Sequence, residues 1–392
     1  MVLVGAIRKF DRKNLFVNTN KLDSYIIWIS KVMNIVVLAT ASRIGGAQTI
    51  YRQFLSHLQD EIGQDHYYVF INESMPRPII PNVEYYVMDT TSSVSRIKFD
   101  FYQGKRFIKS KGLEPDAIVS LQNTGLFNYD IPQIIYYHQS IPLYPQSWSL
   151  LKKEERPLFF YKYIYPFFVK ATRNTCTHYV VQIPFIKKRL VEKFNIPTDM
   201  VFTMFPDVEK INIESVASFD WGDDNIHFLY PANGSGYKMH ITLINALKEI
   251  NNQNIKLHLS FPKGRYPLID KKIKESGLDD SIIREGEISH QQLLSMYKAS
   301  AGLLFPSTIE TIGLPLLEAA AFGCPIIAAD VDYAHQVLKG YEGSVYLDPH
   351  DVNAWVENIQ VYARNHKRYN PIKKQESSWP QFFELVRNSI KE

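Results

Sequence analysis

Two carboxylates stand eight residues apart in a stretch that otherwise reads as buried. Residues 305–330, FPSTIETIGLPLLEAAAFGCPIIAAD, run as strand, turn, helix and strand, and carry Glu310 and Glu318. Pro306 and Ser307 turn the chain after a strand over 301–305, and Gly313 adds flexibility. Pro315 suits the first turn of a helix ending at Phe322, and Gly323 fits the left-handed position just past it. Leu314, Leu317, Glu318 and Ala321 share one helical face, while Leu316, Ala319, Ala320 and Phe322 make the rest apolar too. The expectation is a helix buried on all sides, with Glu318 as its only charge. An unpaired buried carboxylate is costly, so Glu318 needs a partner. One candidate is a Lys or Arg elsewhere in the chain. The other is a ligand whose hydroxyls donate to the acid, as a ribose diol can. Glu310 lies in the loop at a strand's carboxyl end, just before the free helix amides of Ile312, Gly313 and Leu314, a ready anion site. An acid beside an anion site suits a neighbouring sugar's hydroxyls rather than the phosphate itself. Diphosphate on amides, sugar at one glutamate and ribose at the other describe a nucleotide-sugar site.

Apolar runs of strand length alternate along the chain with segments of helical period, which predicts an α/β protein with parallel sheets and crossover helices. The strand candidates are 34–40, 66–71, 83–88, 117–121, 133–138 and 178–182 in the first half. After about residue 212 the pattern restarts with 226–231, 255–261, 301–306 and 325–330. Residues 215–225, SVASFDWGDDN, read as the linker. Two Rossmann-like domains facing each other across a cleft follow, with ligands beyond the strands' carboxyl ends. Residues 33–214, completed by a closing helix over 377–392, form the first, and 215–376 the second. At 392 residues the chain is long enough for two cores. It is 45% apolar and 21% charged, which excludes extended disorder. Lys plus Arg number 44 against 40 Asp plus Glu, so no concentrated basic excess points to nucleic acid. Cys176 and Cys324 show no metal spacing, and a reduced, cytoplasmic setting is expected.

At this density the central stretch closely resembles the E-x7-E signature of retaining glycosyltransferases of family four, which have the GT-B fold. The chain keeps Pro306, Ser307, Glu310, Gly313, Leu314, Pro315, Glu318, Ala319, Gly323 and Pro325 of that pattern, and departs with Thr311 and Ile312 where Gly-Phe is common. The likeness spans about Met33 to Glu392, specific in 301–330 and diffuse elsewhere. It implies transfer of a sugar from a nucleotide-diphosphate donor to a hydroxyl of a glycan or lipid-linked glycan. It also implies retention of configuration, no metal and no separate cofactor.

The resemblance further predicts three parts. A glycine-rich loop near the donor phosphates is supplied by SRIGGAQTIYRQFLSHL, with Gly45 and Gly46, although Gly-Gly is also simply a tight turn. A lysine opening the first helix of the second domain falls at Lys238 in YPANGSGYKMHITLINAL. There it can neutralise the leaving diphosphate, a job otherwise done by a metal; read locally, a solvated surface lysine fits as well. The partner arginine of that pattern is Asn233 here, which weakens the phosphate clamp, while Asn233, Gly234 and Ser235 still offer amide and side-chain donors. A histidine near the donor sugar falls at His138 in IIYYHQSIPLYP, at a strand's carboxyl end, where a purely structural histidine is the alternative. Glu310, His138 and Lys238 are therefore the catalytic candidates. Gly45, Gly46, Asn233, Gly234, Ile312, Gly313, Leu314 and Glu318 are the donor-binding ones.

Two other enzyme-like and non-enzyme readings stay open: a GT-B sugar-nucleotide epimerase, and a nucleotide-sugar-binding partner without turnover. The one Asp-x-Asp, Asp330 and Asp332, lies past the signature helix and reads as an ordinary strand-end loop, so no metal site is assigned. Residues 156–174 interleave seven aromatics with Lys162 and Lys170, and 101–112 carry Lys105, Arg106, Lys109 and Lys111. Such segments suit a bilayer interface as well as a core helix with solvated lysines. The expectation is peripheral contact at the cytoplasmic face of a membrane, with no spanning helix. The first 32 residues lack a signal peptide's pattern and read as an appendage or an upstream start before a fold that opens at Met33.

Overall fold

The computed structural model describes residues 32–42, 45–207, 213–365, 367–373 and 376–390. The expected appendage lies almost wholly outside these residues. The first sheet is built from β1 (Asn34–Leu38), β2 (His66–Ile71), β3 (Val83–Val87), β4 (Ala117–Ser120), β5 (Gln133–Tyr136), β6 (Thr177–Val181) and β7 (Val201–Thr203). Its spatial order is β3-β2-β1-β4-β5-β6-β7. The second sheet uses β8 (Ile226–Tyr230), β9 (Ile255–Leu259), β10 (Ile282–Arg284), β11 (Gly302–Phe305), β12 (Ile326–Ala329) and β13 (Ser344–Leu347), ordered β10-β9-β8-β11-β12-β13. Every pairing in both sheets is parallel. The chain is α/β with two doubly wound sheets, as its alternating pattern predicted.

Central strands read as near-continuous apolar runs because helices cover both of their faces. β4, β5, β6, β11 and β12 are buried at every position. Three strands were absent from the sequence reading: β7, β10 and β13. Each is a sheet edge of three or four residues, and β13 is only half-buried throughout, so the apolar signal thins out there. Apart from β2, which matches its expected range, the foreseen strands end one to two residues early.

Each sheet reverses its strand order once, between β1 and β4 in the first and between β8 and β11 in the second. Such reversals open crevices beyond the strands' carboxyl ends. A closing helix, Trp379–Ser389, returns to the first sheet. Trp379 stacks on Tyr136 with centroids 5.8 Å apart, and Phe383 stacks on Phe54 at 5.4 Å. Trp379 Nε1 also donates to Gln53 Oε1 at 3.2 Å. Among the described residues no helix is long and apolar enough to cross a membrane.

Candidate active site

Glu310 and Lys238 meet at the strand-order reversal of the second sheet. Tyr230 ends β8, and the following turn closes as a short 3-10 helix over Gly236–Lys238, with Met239 left-handed at φ 54°. Tyr230 Oη donates to the Lys238 carbonyl at 2.5 Å, fixing that turn. β11 then delivers the 306–313 loop alongside: the Thr308 amide donates to the Tyr237 carbonyl at 2.9 Å. Lys238 Nζ and Glu310 Oε1 consequently form a hydrogen-bonded ion pair, with side chains only 10% and 15% exposed. Each charge compensates the other, since either alone would be a poorly solvated charge.

Three consecutive amides follow Glu310. Gly313 adopts φ 70°, ψ 60°, a left-handed cap that lets the helix Leu314–Ala321 start abruptly, and Pro315 sits in its first turn. The amides of Ile312, Gly313 and Leu314 donate to no acceptor among the described residues. They lie at the helix start, where the sequence reading places an anion. Gly323 is left-handed beyond the far end, at φ 63°.

The helix is not buried on all sides. Leu314, Pro315, Glu318 and Ala321 form a half-buried stripe facing the cleft, because the second wall belongs to the first domain and stands off. Among the described residues Glu318 finds no lysine or arginine. Its Oε2 accepts from Tyr297 Oη at 3.2 Å, and its Oε1 lies 3.1 Å from His290 Nε2. Burial, with the Glu318 charge beside it, holds the Tyr297 hydroxyl well above its ordinary pKa, so it remains a donor. Glu318 and Leu314 line a cavity of about 380 Å³ whose opposite wall is the helix Gly45–Glu61, entered at Gly45. Gly46 is exposed beside it and does not line the cavity.

His138 lies past β5 on the first-domain side. Its amide donates to Asn123 Oδ1 at 2.6 Å, and its ring Nδ1 is buried with no hydrogen-bond partner. Burial, aided by the Arg96 charge, pulls its pKa down to about 4, so the ring is neutral at physiological pH. Arg96 Nη2 donates to the Gln122 carbonyl and to Thr124 Oγ1, both at 2.9 Å. Asp100 Oδ2 accepts from Thr124 Oγ1 at 2.7 Å. This polar network fills the first sheet's reversal point. No direct contact joins His138 to Glu310 or Lys238. Asn233 is exposed, and its Oδ1 accepts from the Ser235 amide at 3.0 Å. A Cβ on Gly234 would come within 2.4 Å of the Tyr266 ring, so close packing requires glycine there.

Several contacts were missed from sequence. Tyr144 Oη donates to the Glu310 carbonyl at 2.9 Å across the cleft, and Lys162 Nζ donates to the Tyr144 carbonyl. Lys162 therefore turns inward, whereas the sequence reading had placed it among surface cations. His290 and Tyr297 are seven residues apart on the helix His290–Ala299, a same-face spacing that was visible but pointed at nothing until Glu318 stood opposite. Asp330 of the Asp-x-Asp pair lies 2.6 Å from His335 Nε2, and among the described residues no cluster of His, Cys, Asp and Glu has metal-binding form.

Residues 213–379 match the family model for glycosyl transferases group 1. The O-antigen chain mannosyltransferase RfbU of Salmonella typhimurium is 22% identical over 242 residues, covering 59% of this chain and 66% of that protein. The alpha-monoglucosyldiacylglycerol synthase of Streptococcus pneumoniae is 28% identical over 168 residues, 41% of this chain and 38% of that protein. The chain thus spans two thirds or less of these curated relatives. WaaG, a glycosyltransferase involved in lipopolysaccharide biosynthesis, superposes with a TM-score of 0.64 at 15% identity, over 91% of this chain and 99% of its own. Anabaena HepE, solved with UDP and glucose, gives 0.61 at 13% identity, over 91% and 100%. At such identities the likeness shows the fold, which is GT-B. The chain has the GT-B fold, and its residues 213–379 match the family model for glycosyl transferases group 1.

Proposed function

We propose that the chain is a retaining glycosyltransferase that moves a sugar from a nucleotide-diphosphate donor to a hydroxyl of a glycan or lipid-linked glycan. One observation carries the reading: Glu310 and Glu318 flank one set of free helix amides, the first beside Lys238 and the second on the interdomain cavity. In this scheme the diphosphate sits on the Ile312, Gly313 and Leu314 amides. Lys238 leaves Glu310 for the departing phosphate, and Glu310 turns to the sugar hydroxyls as positive charge develops there. Glu318 accepts from the ribose, backed by Tyr297 and His290. The bond from sugar to phosphate breaks as the acceptor oxygen attacks the same face, and the acceptor proton passes to the leaving phosphate. Neutral His138 lines the acceptor side. Gly45, Gly46, Asn233 and Gly234 offer close backbone approach around the donor. The positive charge comes from Lys238 rather than from a metal ion. The likeness to glycan- and glycolipid-building relatives supports this acceptor class.

Thermal-shift screening against UDP-, GDP-, ADP- and CDP-sugars, followed by NMR of the product anomer, tests the reading. Stabilisation by one donor series and retained configuration in the product are expected. Donor cleavage without transfer to any acceptor would favour the epimerase reading. Donor binding with no turnover would favour a binding partner, the reading that Asn233 keeps in view.

We further place the first domain against the cytoplasmic face of a membrane. Phe101 packs edge-on to Phe168 at 5.9 Å, joining the two aromatic and basic segments into one surface. Tyr102 and Phe167 are 69% and 71% exposed on it, with Lys105, Arg106, Lys109 and Lys170 around them. Co-sedimentation with anionic vesicles but not with zwitterionic ones is expected. Equal recovery with both, or with neither, removes the membrane contact.

A further inference from the structure

The two faces of the helix Gly45–Glu61 differ in kind. Ile50, Tyr51, Phe54, Leu55 and Leu58 are buried against the first sheet. Gly45, Gln48, Thr49 and Arg52, spaced i, i+3, i+4 and i+7, line the cavity opposite Glu318. This polar stripe, on which Arg52 is exposed, borders a cleft of about 380 Å³ whose far wall carries Leu314 and Glu318. Arg52 is the only lysine or arginine lining that space among the described residues. It makes no hydrogen bond or ion pair with any described residue.

The charges on the other side give Arg52 its meaning. Lys238 is paired with Glu310 and in the scheme above turns to the phosphate only as it departs. Asp207 accepts at 2.5 Å from His57, and Glu318 is compensated only by a hydroxyl and an imidazole. Asn233 brings no charge, and its side chain is occupied by the Ser235 amide. A diphosphate entering here needs a cation that is still free. A guanidinium suits phosphate because it offers two parallel donors and stays charged at every accessible pH. Leu314, which opens the signature helix, lines the same cavity as Arg52.

We propose that Arg52 is a phosphate ligand of the donor, reaching from the first domain to the diphosphate held at the Ile312 to Leu314 amides. Both domains then grip one ligand, and the cation missing at Asn233 is supplied from across the cleft. This inference rests on the nucleotide-sugar reading above. Its test uses the full chain with the nucleoside, monophosphate and diphosphate of whichever base binds in a UDP, GDP, ADP and CDP panel. Calorimetry on Arg52→Ala is expected to show diphosphate affinity reduced roughly 10- to 100-fold and nucleoside affinity unchanged. Arg52→Lys should recover part of the loss, and the salt dependence of diphosphate binding should shrink in Arg52→Ala. Unfolding midpoints should match the wild type, because Arg52 is exposed. Wild-type diphosphate affinity in Arg52→Ala, or an equal loss on the nucleoside, overturns the role of Arg52 and leaves the function standing. Failure of the unaltered protein to bind any of the four diphosphates removes both.

Discussion

Lys238 and Glu310 hold each other in a site that is largely shielded from water, so the two substitutions differ in kind. Lys238→Met leaves a poorly solvated carboxylate unpaired and is expected to cost about 3 kcal/mol, read by urea unfolding. Adding Glu310→Gln to it should restore much of that stability without restoring turnover, a coupling that a double-mutant cycle measures directly. On the wild-type background Glu310→Gln is expected to lower kcat with nucleotide affinity nearly intact. Glu318 is assigned to ribose binding that is equal in substrate and transition state. Glu318→Gln should therefore raise the donor KM about 10- to 100-fold, the range for hydrogen bonds to a charged group. Steady-state kinetics beside direct nucleotide binding separates the two. Wild-type kcat in Glu310→Gln, or unaltered nucleotide binding in Glu318→Gln, refutes the division of roles.

At the scale of the element, the signature unit is a helix bounded by two left-handed glycines with different surroundings. A Cβ on Gly313 would approach Leu316 Cδ1 at 3.3 Å, the movable end of a side chain. A Cβ on Gly323 would fall 2.1 Å from the Tyr369 carbonyl oxygen, which is backbone and cannot turn aside. That backbone is also tied in place, since the Tyr369 amide donates to the Gly323 carbonyl at 3.0 Å. Gly313→Ala is expected to cost about 1–2 kcal/mol, the left-handed penalty alone. Gly323→Ala should cost about 3 kcal/mol or more, because strain and overlap combine. The order of the two unfolding midpoints checks this, and a milder effect at Gly323 would refute it. Function is expected in the reverse order: Gly313→Ala disturbs the amides that face the diphosphate, whereas Gly323 lies at the far end of the helix.

At the scale of the whole molecule, burial lowers the pKa of several described histidines, His138, His240 and His258 among them. Burial, with the nearby Lys238 charge, lowers His240 to about 3, and burial with Arg96 lowers His138 to about 4. In the unfolded chain both titrate near the ordinary value of about 6.5. Between these values the unfolded state binds more protons, so stability is complete above about pH 6.5 and falls as the pH drops toward 4. Asp100 acts with the opposite sign in the lowest part of that range: burial raises its carboxyl, although Arg96 opposes the rise. Urea midpoints taken from about pH 7 down to about pH 4.5 should decline, and His240→Leu should flatten the decline. An unchanged slope in that variant would assign the acid sensitivity elsewhere.

The sequence by itself determined what depends on near neighbours in the chain. The apolar runs of the central strands, Pro315 and the left-handed Gly323 state a doubly wound α/β fold and a capped helix. The spacing of Glu310 and Glu318 carries the site's chemistry, because strand, turn and helix geometry are local. Three of the four edge strands were lost for the complementary reason: they are short and partly buried, which thins the apolar pattern that marks a strand. Only the tertiary structure decided the partners. Lys238 and Glu310 are 72 residues apart and Tyr144 and Glu310 are 166 apart. No local rule says which strand ends adjoin at a sheet's reversal point, nor that Lys162 turns inward to hold Tyr144. Glu318 reads locally as a charge awaiting either an ion pair or a ligand's hydroxyls, and the local sequence does not choose between them. Glu318 faces a cavity, because the helix Gly45–Glu61 of the other domain stands opposite and leaves room for a ligand between them.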